Sequence, residues 1–119
     1  RGAKAILELE ENLYRKAEAL YFKSQAHNGL KQFDEARLAA SDALNLRPAG
    51  ALDIQLRMFA GDIDITAKKP EAAIRHYIIV ESTFAKSADD KREALAKVIS
   101  TLKMIGTPKA LELLKDYQQ

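Results

Sequence analysis

Residues 17–50 read AEALYFKSQAHNGLKQFDEARLAASDALNLRPAG, and this stretch decides the fold. Small and apolar side chains recur every three or four residues up to Asn28, the period of one helix face. Gly29 interrupts the run, a second helical run carries FDEARLAASDAL, and Pro48 ends it. Gly and Pro are the strongest punctuators of local structure. The pattern predicts two helices joined by a short turn, in a unit of about 34 residues. Units of this kind build binding surfaces by stacking and rarely carry chemistry.

The same arrangement recurs along the chain. Ala36, Ala73 and Ala110 lie 37 residues apart, each near the start of a second helix: FDEARLAASDAL, PEAAIRHYIIVE and TPKALELLKDY. A small residue there lets two antiparallel helices approach closely. One turn further, Ala40, Tyr77 and Leu114 fall in register, followed by Ala43, Val80 and Tyr117; Phe33 and Pro70 also match. Among first helices, Leu20, Ser24 and His27 form one face, and Ala60, Gly61 and Asp64 correspond to them. Gly61 beside Ala60 predicts close packing on the partner helix. The third first helix, about residues 89–104, is apolar at Leu95, Val98, Ile99 and Leu102. Its turn, Ile105-Gly106-Thr107-Pro108, is one residue shorter than the first two.

The expected boundaries have local chemistry. Gly29 and Gly106 suit the left-handed conformation that ends a helix. Thr107-Pro108 reads as an N-cap followed by Pro in the first turn, and Lys69-Pro70 starts a helix similarly. Ser87-Ala88-Asp89-Asp90 has capping-box spacing, a pattern that also arises by chance. Pro48-Ala49-Gly50 separates the first pair from the second. The expected organisation is a single domain over residues 1–119, with repeats at 17–50, 51–86 and 87–119.

Residues 1–16 allow two readings. Ile6, Leu9, Leu13, Ala17, Leu20 and Ser24 keep helical spacing without Gly or Pro, which permits one long helix over about residues 3–28. The 37-residue frame instead places Ala3, Ile6, Leu7 and Leu9 over Ala40, Ala43, Leu44 and Leu46. Residues 1–9 would then be the tail of a preceding second helix and residues 10–16 a connection. The frame, and a chain that opens on Arg1 rather than Met, favour this truncated repeat. The same opening points to a fragment or a processed form.

These residues resemble the tetratricopeptide-repeat family over about the last hundred residues. Leu20, Ala36, Ala43 and Pro48 stand at the family's spacing, and the second unit adds Ala60-Gly61 and Tyr77. Leu20 replaces the usual Trp, Lys23-Ser24 the usual Leu-Gly, and His27 the usual Tyr, while Arg57 and Asp64 occupy normally apolar places. The resemblance implies an all-α fold, a right-handed α-solenoid of antiparallel helix pairs with about three repeats. The segments GDIDITAKKPEAAIRHYIIVESTF and ALAKVISTLKMIGTPKALELLKDY are similar to C-terminal repeats of bacterial cell-envelope proteins. That leans the expected localisation to the bacterial periplasm or cell envelope, with the cytoplasm as the alternative.

The resemblance also implies where a partner binds: first helices line a concave groove. The residues off the core stripe are Tyr21, Phe22, Gln25 and Asn28 in the first unit and Met58, Phe59, Asp62 and Ile65 in the second, with Leu95, Ser100 and Lys103 in the third. Tyr21, Phe22, Met58 and Phe59 suit the apolar side of a partner helix or an extended peptide. The bland reading is that each packs against a neighbouring unit. The family's clamp for acidic C-termini uses Lys and Asn, and Tyr21, Phe22 and Gln25 stand in those places, so that ligand class is not expected.

Composition narrows the alternatives. Hydrophobic residues make up 47% and charged residues 30%, a globular balance too apolar for disorder. The net charge of +2 comes from 19 basic and 17 acidic residues, well mixed, so nucleic acid is not an expected partner. No polybasic amphipathic helix, membrane-length apolar run or signal peptide is visible. Cysteine is absent, which removes disulfides, Cys-ligated zinc and thiol nucleophiles. His27 and His76 lack metal-ligand spacing. Asp62-Ile63-Asp64 is not followed by a calcium loop, and Glu10-Glu11 and Asp89-Asp90 have no partner base. No phosphate loop, nucleophile elbow or dinucleotide fingerprint occurs. The expectation is a non-enzymatic scaffold without metal or cofactor, binding a protein or peptide; the alternative is an assembly module that homo-oligomerises through exposed repeat ends.

Overall fold

The computed structural model describes residues 2–48, 50–84 and 87–118. Arg1, Ala49, residues 85–86 and Gln119 lie outside the described residues, and with them the centre of Pro48-Ala49-Gly50 and the expected end of the second repeat. Among the described residues the chain is all-α, with six helices: α1 (Gly2–Gly29), α2 (Phe33–Asn45), α3 (Ala51–Thr66), α4 (Pro70–Ile79), α5 (Ala88–Ile105) and α6 (Pro108–Gln118). A π-helical turn, Val80–Phe84, extends α4.

The 37-residue frame reappears in backbone detail. Helices α2 and α4 begin at Phe33 and Pro70, the matched positions. The turns before them are the same turn. Gln32 N–H donates to the His27 carbonyl (2.9 Å) and Lys31 N–H to that of Asn28 (3.0 Å); Lys69 N–H donates to Asp64 (2.7 Å) and Lys68 N–H to Ile65 (3.0 Å). This pair of bonds is the Schellman closure, which satisfies carbonyls left open at a helix end. Its left-handed residue is Lys31 (φ 60°) in the first turn and Lys68 (φ 63°) in the second. The expected left-handed Gly29 is thereby corrected: Gly29 closes α1, and Leu30 N–H still reaches the Ala26 carbonyl (3.2 Å), so the reversal falls two residues later. The third turn differs. Gly106 is left-handed (φ 67°) and its N–H reaches Leu102 (3.1 Å), the single-bond variant. That change of turn type accompanies the one-residue slip that puts α6 at Pro108.

Capping follows the sequence elsewhere. Ser87 Oγ accepts from Asp90 N–H (3.0 Å) at the start of α5, with Asp89 and Asp90 in its first turn, where acidic groups favour the helix dipole. Thr107 Oγ1 accepts from Ala110 N–H (3.2 Å) ahead of Pro108.

The N-terminal region resolves the two readings offered by its sequence. Helix α1 runs unbroken for 28 residues, so residues 2–9 and 10–16 are not a separate tail and connection. They extend the first helix. The physical reason is that Glu10-Glu11-Asn12-Leu13-Tyr14-Arg15-Lys16 contains no breaker, and Arg15 pairs with Glu11 (2.6 Å) at helical i,i+4 spacing. A frame match of four apolar residues does not end a helix without a Gly or Pro.

The chain forms two compact units, Arg1–Leu56 and Arg57–Gln119, and the boundary falls inside α3. In the first, a three-residue turn folds α2 back on α1. Ala17, Ala43, Leu52 and Leu56 form the core, with Leu20, Tyr21, Leu44 and Leu46 against it. Ser24 is fully buried, and its hydroxyl donates to the Ala36 carbonyl (2.7 Å), which removes the cost of burying it. In the second unit, Ala73, Tyr77, Val98, Leu102, Ala110 and Leu114 form the core, flanked by Met58, Ile65, Ile74, Ile78, Ile99, Ile105 and Tyr117. The expected core alanines Ala36, Ala73 and Ala110 are all buried, as are Ala40, Ala43 and Val80.

One matched pair of positions sets a close helix approach in the second unit. Ser24 accompanies Ala40, Gly61 accompanies Tyr77, and Val98 accompanies Leu114, and all six are buried. The smallest first-helix residue thus stands with the largest second-helix residue. A Cβ placed on Gly61 would lie 2.4 Å from Tyr77 Cε1 and 2.7 Å from Cζ. Only glycine accommodates this approach.

Candidate functional site

Three helices of the second unit place polar groups together. Asp62, Ile65 and Thr66 share one face of α3, as their 3- and 4-residue spacing requires. Lys97, Ser100, Thr101 and Met104 share one face of α5 for the same reason. Tyr77 reaches between them from α4. These residues line a cleft of about 300 Å³.

The ring of Tyr77 is buried and its hydroxyl meets the cleft. It donates to Asp62 Oδ1 (2.6 Å), and Lys97 Nζ donates to the same oxygen (2.7 Å). The Lys97 ammonium also lies 5.6 Å from the Tyr77 ring centroid, within cation–π range. Burial raises the Tyr77 phenol above its ordinary range, and the Asp62 hydrogen bond and the negative charges of Asp62 and Asp64 add to the effect. The phenol therefore stays protonated and acts as a donor. The Asp62–Lys97 pair is partly exposed, so its own contribution to stability is about 0–1 kcal/mol. Its value is positional: it fixes a carboxylate and an ammonium side by side.

Besides the Tyr77 phenol the cleft has three aliphatic hydroxyls, and two of them are bonded to their own helix backbone. Thr66 donates to the Asp62 carbonyl (3.1 Å) and Thr101 to that of Lys97 (2.6 Å), each four residues back on its own helix. Ser100 is exposed at the rim. The arrangement presents a fixed donor and acceptor, and the Thr66 and Thr101 hydroxyls are bonded to backbone carbonyls rather than to a base. Among the described residues, no cluster of three or more His, Cys, Asp or Glu side chains has the placement to hold a metal. None of the described helices is long and apolar enough to cross a membrane.

The eight sequence-derived candidates divide between the units. Tyr21, Phe22, Gln25 and Asn28 lie on α1. Tyr21 is half-buried against the first core, while Phe22 is 59% exposed and stacks on it, with centroids 6.2 Å apart and planes at 14°. Gln25 is exposed and Asn28 half-buried. Met58, Phe59, Asp62 and Ile65 lie on α3 in the second unit. Met58 and Ile65 pack against its core, and Phe59 is half-buried. Of the eight, the cleft brings together Asp62 and Ile65, and it adds Ser100 from the third set. Leu95 and Lys103 are not among its lining residues. Lys97, Tyr77 and Met104 were not singled out as site residues. Lys97 and Met104 were within reach, since they sit three before and four after Ser100 on one helix face.

Each histidine has a polar neighbour. His27 Nδ1 donates to Gln32 Oε1 (2.7 Å) across the first turn. His76 is half-buried, with Nε2 3.8 Å from the buried Asp64 carboxylate.

A second cleft, of about 440 Å³, lies in the first unit. Leu7, Leu13, Tyr14, Leu46 and Pro48 line it, with Glu10, Glu11 and Arg47.

Comparison with protein-family models, with curated proteins and with solved structures returns no match for this chain.

Proposed function

We propose that this chain is a protein-interaction scaffold of tetratricopeptide-like helix pairs, stacked as a right-handed solenoid, which binds a peptide or helix of a partner along its first helices. The observation that carries this reading is the cleft between α3 and α5, the first helices of consecutive pairs. It sets the aliphatic side chains of Ile65 and Met104 beside a fixed donor and acceptor, which supports a groove along the first helices. Sites of this composition orient a ligand by a few polar contacts and retain it by apolar ones. The 37-residue recurrence of turns, helix starts and buried alanines supports the repeat reading independently of any resemblance.

Affinity capture tests it. Phe22→Ala and Met104→Ala alter exposed side chains and leave the cores intact. Loss of a specific partner from either variant supports the groove. A partner retained by both counts against it, and turnover in a broad hydrolase or transferase screen would replace the scaffold reading altogether.

A second reading has its own observation. Ile6 (57% exposed), Leu7 (65%) and Leu9 (58%) leave an apolar surface on the first turns of α1. Such surfaces on a helical end favour self-association. Light scattering across concentration tests homo-oligomerisation, and a strictly monomeric chain would remove it.

A further inference from the structure

The α3–α5 cleft carries more chemical information than an apolar slot would. Asp62 uses a single oxygen, Oδ1, for both the Tyr77 hydroxyl and the Lys97 ammonium. Its other oxygen, Oδ2, remains an acceptor on a side chain that is 47% exposed. Lys97 has three donors and gives one to Asp62. An acceptor and a donor therefore stand side by side at the cleft, held in place by a buried tyrosine. Ile65 and Met104 flank them, Met104 being 53% exposed.

Building on the reading of this chain as a peptide-binding scaffold, we infer that the cleft takes one aliphatic residue of an extended partner peptide. The peptide residue donates its own N–H to Asp62 Oδ2 and accepts at its own carbonyl from Lys97 Nζ. Its side chain, Leu, Ile or Met, lies against Ile65 and Met104. In an extended chain the N–H and C=O of one residue point to the same side, as in the hydrogen-bonded pairs of an antiparallel ladder. One residue can thus engage both groups. The neutral sum of Asp62 and Lys97 sets the specificity. An acidic side chain drawn to Lys97 meets Asp62, and a basic one drawn to Asp62 meets Lys97. A main-chain amide carries both complements and no net charge. The volume agrees: about 300 Å³ is at the small end of ligand sites and suits a residue with its flanking amides.

The test starts by panning the whole chain against a displayed library of random linear peptides. The enriched consensus is then synthesised, and its Kd is measured by calorimetry for the wild type, Met104→Lys and Lys97→Met. A second peptide is N-methylated at the aliphatic anchor. An obligatory Leu, Ile or Met is expected, with about tenfold or greater weakening on Lys97→Met and on N-methylation, the loss of one charge-assisted hydrogen bond. Met104→Lys should weaken binding at least as much, and far-UV circular dichroism checks that each variant folds. A consensus with an obligatory acidic or basic residue, or affinity untouched by N-methylation, Met104→Lys and Lys97→Met, would overturn the inference and leave the scaffold reading standing. A library that yields no specific binder would overturn the scaffold reading and the inference with it.

Discussion

Replacing Gly61 by Ala should destabilise the second unit, although the same change in an open helix stabilises. The clash is specific: the new methyl would stand 2.4 Å from Tyr77 Cε1, 2.7 Å from Cζ and 3.0 Å from Cδ1. Ordinary carbon contacts lie at about 3.5–4.0 Å, so the ring or α3 must retreat by about 1 Å or more. Overpacking of a rigid core costs about 1–3 kcal/mol. A retreating ring also draws its hydroxyl from Asp62, now 2.6 Å away, and loses about 1 kcal/mol of hydrogen bonding. Against this, Ala in a helix interior gains about 1 kcal/mol over Gly. The net expectation is a loss of about 1–3 kcal/mol. Urea denaturation followed by far-UV circular dichroism measures it as a lower midpoint at unchanged slope. Gly29→Ala is the control, because nothing lies within 4 Å of a Cβ there and its φ is not left-handed; it should be neutral or stabilising. The decisive arm is the double-mutant cycle with Tyr77→Leu, which removes the ring edge. In that background Gly61→Ala should cost nothing or stabilise, a coupling of at least about 1 kcal/mol. An equal cost in both backgrounds, or no cost in the wild type, would refute the argument that the ring's approach requires glycine.

Three further outcomes follow from the geometry. The Tyr77 phenol is raised in the folded state, so the folded chain holds a proton that the unfolded chain releases near pH 10. The Tyr77 contribution to stability is therefore complete below about pH 10 and falls above it, by about 1.4 kcal/mol per pH unit; phenolate absorbance should show Tyr77 titrating only with unfolding, and Tyr77→Phe should remove this part of the alkaline slope. Lys31→Gly and Lys68→Gly relieve left-handed backbone at a non-glycine residue and should each stabilise by about 1 kcal/mol, whereas Gly106→Ala should destabilise by about as much, all read from thermal or urea midpoints. Ser87→Ala removes the side-chain acceptor for Asp90 N–H and should cost about 1 kcal/mol, with faster amide exchange confined to the first turn of α5.

The helix pairs were legible because their signals are local. Phe33 and Pro70 start helices, Thr107 caps one, and Ala36, Ala73 and Ala110 are buried, all as the spacing required. Where the structure departs from the repeat frame, a competing local term decides. Residues 10–16 allow a connection by the repeat frame and a continued helix by their spacing, and the helix forms because nothing in them breaks it. Gly29 was assigned the left-handed turn because glycine adopts it without strain, but the Schellman geometry placed that conformation at Lys31. The lysine accepts the strain because both turns close the same two hydrogen bonds, and those bonds recur at Lys68 where no glycine is nearby.

The candidate site was only half legible, for a different physical reason. Asp62 and Ile65 were visible from the face of α3, and Ser100 from that of α5. The partnership of Asp62 with Tyr77 and Lys97 spans 15 and 35 residues, and no spacing rule connects positions on three helices. What the sequence did contain was the cause one level down. Gly61 lets Tyr77 sit close to α3, and that close seat carries the phenol far enough to meet the next residue, Asp62. A leucine at position 77 would lack the ring edge that approaches Gly61 and would offer no hydroxyl. The glycine that reads as a packing device is therefore also what brings a polar group to the cleft, and the same substitution that tests the packing tests the site: Gly61→Ala should weaken any peptide that depends on Asp62, and Tyr77→Phe, which preserves the packing, should weaken it less.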